Sequence, residues 1–194
     1  MAENVKDLIE EVKNLSELML DLAYSSVLFD SKDIAKEVII SYDRLKELEE
    51  RLYMHLFAAS RGKFSHRFIS IINLIANSER VATAAKNMAE LVLDGKEMHP
   101  VIKSALKESE ETVVRTQISS ASIFSNQAIG DLKVRTQTGA RIIAIRRDEA
   151  GRSKWVFNPR KDTVMRENDV LIAVGPKPAC DKLRKVAEGV LKKL

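Results

Sequence analysis

Four arginines crowd one short stretch of this sequence: Arg135, Arg141, Arg146 and Arg147. A guanidinium is planar, always charged, and presents a fork of N–H donors that matches the paired oxygens of a phosphate or carboxylate. The chemistry open to such a cluster is recognition of a small anion. Solvation at the flanks of a strand, or pairing with Asp131, Asp148 and Glu149, accounts for the same residues equally well. Arg146 and Arg147 are consecutive, and consecutive side chains of a strand point to opposite faces, so the two cannot serve one site together.

Other residues offer less. Asp43, Glu47 and Glu50 follow one another at face-sharing spacings, and with Glu79 they could gather around a divalent cation. Arg44, Lys46, Arg51 and Arg80 stand beside them, and ordinary intrahelical ion pairs are the more frequent use of such a pattern. His55, His66 and His99 fall on three separate segments without a carboxylate or cysteine at ligand spacing. Cys180 is the only cysteine, which excludes a disulfide framework and a thiolate zinc site, and reads as a small buried residue. Trp155 reads as an anchor in a hairpin or a subunit contact. No nucleophile, base and acid form a set, and neither Gly-x-x-x-x-Gly-Lys nor Gly-x-Gly-x-x-Gly occurs. The expectation is a protein that is not an enzyme. An enzyme acting on a phosphorylated metabolite, with the arginines as clamps, is a rival that lacks a general base.

Composition narrows the setting. Lys and Arg total 32 against 28 Asp and Glu, and the net charge of +4 is too small and dispersed for a nucleic-acid footprint. No nucleic acid is therefore expected as a partner. No apolar run approaches the ~20 residues that span a bilayer, and the N-terminus alternates acids with apolar residues, unlike a signal peptide. A cytoplasmic protein with no membrane span of its own is expected.

These residues must be positioned by two kinds of element. The chain has 194 residues, 45% of them hydrophobic, enough for two small cores. Val5, Leu8, Val12, Leu15, Met19 and Leu22 recur at spacings of three and four and predict a bundle helix. Asp30, Ser31 and Asp33 cap a second, antiparallel helix carrying Ile34, Val38, Leu45, Leu48 and Leu52. After a break around Gly62, Ser65 caps a third, with Phe68, Ile71, Ile75, Ala82, Ala85, Ala89 and Val92 inward and an end at Asp94-Gly95. The alanines permit close approach of a partner helix. Pro100 opens a fourth helix with an apolar side of Val101, Ile102, Ala105 and Leu106, a connector between domains. From Thr112 the pattern changes to a strand through Val113, Val114 and Ile118, a short helix from Asn126 to Val134, and a strand from Ala140 to Ile145. A turn at Asp148 to Arg152, a strand at Trp155 to Phe157, a final strand at Asp169 to Val174 and a helix from Pro178 complete it. Two strands are apolar on both faces, so helices or another subunit must cover both sides of the sheet. The fold class is α + α/β, multi-domain: an antiparallel helical bundle over 1–95, a connector over 96–111, and a small α+β domain over 112–194 with β-α-β-β-β-α order.

The second half resembles the TrkA C-terminal domain, also called RCK_C. The resemblance is carried by Ser122, Phe124, Ile129, Leu132, Thr138-Gly139, the strand Ile142 to Ile145, Arg146-Arg147, Pro159, Asp169-Val170-Leu171 and Val174-Gly175-Pro176. Asn126 and Asn168 stand where that family has glycine. Asparagine tolerates the left-handed region better than other residues with a side chain, so both turns are expected to survive. The first half is similar to PhoU-like domains at Lys46-Glu47-Leu48-Glu49-Glu50 and at Ile75 to Ala82. PhoU proteins hold metal with Glu-x-x-x-Asp. Here Thr83 follows Glu79 at that spacing, so no metal site is carried over.

The RCK_C resemblance implies a ligand cleft between two copies of the domain, with a cyclic dinucleotide or another small anion as ligand and no certain cofactor. It points to Arg135 after the short helix, Arg141 at the start of the strand, Pro159 in the following loop and Asn126, with Arg146 and Arg147 in the same segment. The function so implied is a homodimeric regulatory subunit of cation transport, most plausibly of potassium, whose bundle contacts a membrane channel or transporter. The rival reading is a phosphate-signalling adaptor in which the bundle works and the other domain only dimerises it.

Overall fold

The computed structural model describes residues 4–60, 66–95, 98–108, 111–149 and 152–194. The chain divides into two compact units, Met1–Met98 and His99–Leu194.

The first unit is three helices, α1 (Val5–Phe29), α2 (Lys32–Ser60) and α3 (His66–Leu93), each packed against the other two. Asn4 starts α1 by accepting a hydrogen bond from the Asp7 amide at 2.9 Å. Asp30 ends it in the left-handed region, and the Ile34 amide then donates to Ser31 Oγ at 3.5 Å as α2 begins. The expected seam is the observed core: Leu8, Val12, Met19 and Leu22 meet Ile34, Val38, Leu45, Leu48 and Leu52, all buried. Ala82, Ala85 and Ala89 are fully buried inside the same bundle. That face is therefore used within the chain and offers no contact to a second copy. The expected cap Ser65 lies outside the described residues. Left-handed Gly95 follows the end of α3.

The second unit begins with α4 (Pro100–Glu108), whose Val101 and Ile102 face solvent at 66% and 44% exposure. Four strands follow, β1 (Glu111–Gln117), β3 (Arg141–Glu149), β4 (Arg152–Phe157) and β6 (Val170–Pro176), and they pair antiparallel in the order β1-β6-β3-β4. Two-residue strands β2 (Gln127–Ala128) and β5 (Val164–Met165) pair beside them, and the helices are α5 (Val134–Thr138) and α6 (Lys177–Ala187). The long strands and two helices give the β-α-β-β-β-α order; β2 and β5 are too short to show alternation in a sequence. Residues 150 and 151 of the turn expected at Asp148 to Arg152 lie outside the described residues.

One expected element moves. The short helix placed over Asn126 to Val134 is instead a run of turns around β2, and helix begins at Val134. Asn126 (φ 61°) and Lys133 (φ 46°) are left-handed, which no α-helix passes through. The backbone there pairs outward instead: Ile129 donates to Thr163 O at 3.1 Å and Gly130 to Lys161 O at 2.7 Å. A Cβ on Gly130 would sit 2.9 Å from the Lys161 carbonyl oxygen, so the closeness of this ladder requires glycine.

The core of the unit lies on the inner face of the sheet. Ile142 and Ile145 of β3 with Leu171 and Ala173 of β6 pack against Ala179, Cys180, Leu183 and Val186 of α6, and Phe124 and Met165 close the end. Cys180 is the small buried residue expected.

Candidate functional site

The sheet separates the arginines. Arg147 belongs to a buried ion pair: its Nε donates to Asp169 Oδ1 at 2.8 Å and its Nη2 to Asp169 Oδ2 at 2.6 Å. Nη2 also donates to the Val164 carbonyl at 2.8 Å, and the Arg166 amide donates to Asp169 Oδ2 at 2.8 Å. Asp169 is 1% exposed and Arg147 14%. The hydrogen bond to Asp169 pushes the Arg147 pKa further above its ordinary value. Arg147, a candidate ligand residue in the sequence, is held here in a clamp that fastens β3 to β5 and to the start of β6. Asp169 was visible in the sequence only as part of a motif, and its role as the hub of this clamp was not read there.

Arg135, Arg141 and Pro159 are brought toward one end of β3 by the backbone. Gly139 ends α5 at φ 85°, its amide donating to the Arg135 carbonyl at 2.8 Å. Thr138 Oγ1 donates to Val134 O at 2.8 Å and accepts from the Ala140 amide at 3.0 Å, fixing the step from helix to strand. Arg141 is the first residue of β3, paired with Val174 and partly buried. Asn158, left-handed at φ 47°, donates its amide to Ile143 O at 2.8 Å, which delivers Pro159 beside the start of the strand. Asn126 is exposed and its amide donates to Met165 O at 2.8 Å, at the opposite end of the ladder that runs to Gly130 and Lys161. Asn126 and Asn168 both adopt the left-handed conformation, at φ 61° and 67°, as the glycine positions require. Arg146 lies on the outer face of the sheet, away from Arg147.

The bundle holds a second polar cluster. Lys46 Nζ donates to Glu79 of α3 and, at 3.3 Å, to Glu49 one turn along α2. Glu49 is buried, and burial pushes its carboxyl up against the lowering influence of Lys46. Burial, then the charges of Glu49 and Glu79, raises the Tyr53 phenol. The Lys46 pKa is held up chiefly by its hydrogen bond to Glu79. The metal chemistry of PhoU proteins does not fit these residues: an ammonium stands between the carboxylates and would repel a divalent cation. Among the described residues no three His, Cys, Asp or Glu gather as a metal set. Lys46→Met is expected to lower stability at pH 7 by about 1–3 kcal/mol, because buried Glu49 loses its partner. A carboxyl whose folded pKa is raised takes up its proton more readily in the folded state, so this loss shrinks as pH falls toward the carboxylate range. Urea denaturation at pH 7 and pH 5 measures both; a loss independent of pH would refute the pairing.

Comparison with known proteins supplies the remaining frame. Residues 9–92 match the PhoU domain and residues 113–187 the TrkA-C domain. Potassium channel protein 1 of Methanocaldococcus jannaschii is 32% identical over 89 residues, covering 46% of this chain and 26% of that protein. The chain thus spans about a quarter of the length of this relative. The RCK_C domain dimer of S. agalactiae BusR in complex with c-di-AMP is similar at 26% identity, with 40% of this chain and 91% of that one covered and a TM-score of 0.35. BusR in complex with its busAB-promotor DNA is similar at 16% identity, with 89% and 95% covered and a TM-score of 0.34.

Proposed function

We propose, for a chain that carries a PhoU domain followed by a TrkA-C domain, that it is a non-catalytic regulatory subunit of cation transport, of potassium first. The TrkA-C domain binds a small anionic ligand between two copies of itself, and the bundle contacts a membrane channel or transporter on the cytoplasmic side. Arg135, Arg141 and Pro159 form the ligand site, with Asn126 at its margin. A ligand shifts such an equilibrium only by preferring one geometry of the dimer, which a site shared between subunits provides.

The observation that carries this reading is the delivery of Arg135, Arg141 and Pro159 to one end of β3 by two left-handed turns, at Gly139 and Asn158. The potassium channel relative supports the choice of cation. None of the described helices is long and apolar enough to cross a membrane, in keeping with a partner that supplies the membrane span.

Calorimetric titration of the whole chain with c-di-AMP, ATP, ADP and NAD tests it. One ligand per dimer is expected, weakened roughly tenfold or more by Arg135→Ala or Arg141→Ala as each charge-assisted bond is lost. Silence across the panel, or a monomer in sedimentation at micromolar concentration, would overturn the reading.

A further inference from the structure

We propose that the outer face of the sheet carries a second anion site, centred on Arg146 and Trp155, which takes one phosphate or carboxylate group. It does not rest on the ligand site above.

Because Ile145 and Val156 contribute to the core of the inner face, strand alternation sets their neighbours on the other side. Pairing places Arg146 of β3 between Trp155 of β4 and Val170 of β6, and Ala144 between Phe157 and Ile172. The floor is apolar and closed, with Ala144 at 0%, Ile172 at 1% and Val170 at 8% exposure. On this floor two polar atoms are anomalous. Arg146 Nε and Trp155 Nε1 are buried donors with no hydrogen-bond acceptor. Native proteins seldom leave such donors unmade, and here two sit on directly opposed residues of adjacent strands, whose Cβ atoms are about 5 Å apart. Side chains that start this close on one face can converge on a single oxyanion.

The surroundings favour negative charge. Among the described residues no acceptor faces Arg146 Nε. Arg115 pairs with Ile172 and so shares this face, as does Asp148, two residues from Arg146 and already engaged elsewhere. Phe157 stacks on Trp155 with centroids 5.4 Å apart and planes within 10°, which fixes the indole and the direction of its N–H.

Trp155 is the only tryptophan of the chain, so its fluorescence reports the site directly. The whole protein is titrated with inorganic phosphate and, separately, with acetate, against chloride at matched ionic strength. A saturable emission change with phosphate, acetate or both is expected, each arm naming its source of the anion. Arg146→Gln should weaken it roughly tenfold with far-UV circular dichroism unchanged; Arg146→Lys, which keeps the charge but loses Nε–H, serves if the Gln variant does not fold. Arg141→Ala should leave the titration unchanged, which separates this site from the ligand site. Equal response to chloride, full response in both Arg146 variants, or an emission change that follows protein concentration alone would overturn the proposal.

Discussion

Asp169→Ala is expected to destabilise the second unit by about 3–5 kcal/mol, the usual result of removing one member of a buried, hydrogen-bonded ion pair. The size follows from what is left behind. The Arg147 guanidinium would keep only the Val164 carbonyl, and the Arg166 amide would lose its acceptor. Arg147→Ala should be of comparable size, because the Asp169 carboxylate, 1% exposed, would then lie uncompensated. The double variant should lose clearly less than the sum, since each single change removes the same interaction. Urea denaturation of the four proteins gives the coupling directly. Additive losses would mean that the two side chains act separately and that the clamp is not a unit.

Phe124→Ala is expected to lower stability of the same unit by about 3–5 kcal/mol through the cavity it leaves. Phe124 is fully buried, yet it sits on no helix or strand. Its position is set by Ser122, whose Oγ accepts from the Phe124 amide at 3.1 Å and donates to the Val186 carbonyl of α6 at 2.7 Å. The first turn of the domain is thereby tied to its last helix. Thermal denaturation should show the loss in near-ultraviolet circular dichroism while most helical signal persists, and Phe124→Leu should recover most of it. A Phe124→Ala protein melting with the parent would remove Phe124 from the core.

The bundle was legible because its signal is periodic. The seam from Leu8 to Leu22 and the stripe from Ile34 to Leu52 each state a helix and its buried face at once. The strand from Ile142 to Ile145 was equally plain, being apolar over its length. The segment between Asn126 and Val134 was not. Its fold is decided by left-handed residues with side chains and by hydrogen bonds to Lys161 and Thr163, partners distant in sequence. The motif residues were recognisable for a reason that bears on function. Ser122, Thr138, Gly139 and Asp169 hold the domain together, Asp169 by engaging Arg147, and the side chains of the proposed ligand residues Arg135, Arg141 and Pro159 lie outside those contacts. Consecutive Arg146 and Arg147 were already known to part company across a strand. Which of them was structural depended on Asp169, whose carboxylate comes to Arg147 only through the pairing of β3 with β6.

The order β1-β6-β3-β4 gives the second unit a particular history. Its first strand has one neighbour, and that neighbour is its last. From Glu111 opposite Pro176 to Gln117 opposite Val170, β1 can pair only after nearly the whole domain has been synthesised. Closing so long a loop is entropically demanding and slow, whereas helices of a bundle meet through short connections. On the ribosome, the first unit can complete its core while β1 still presents an open edge, a surface on which unfinished chains find each other before they find β6.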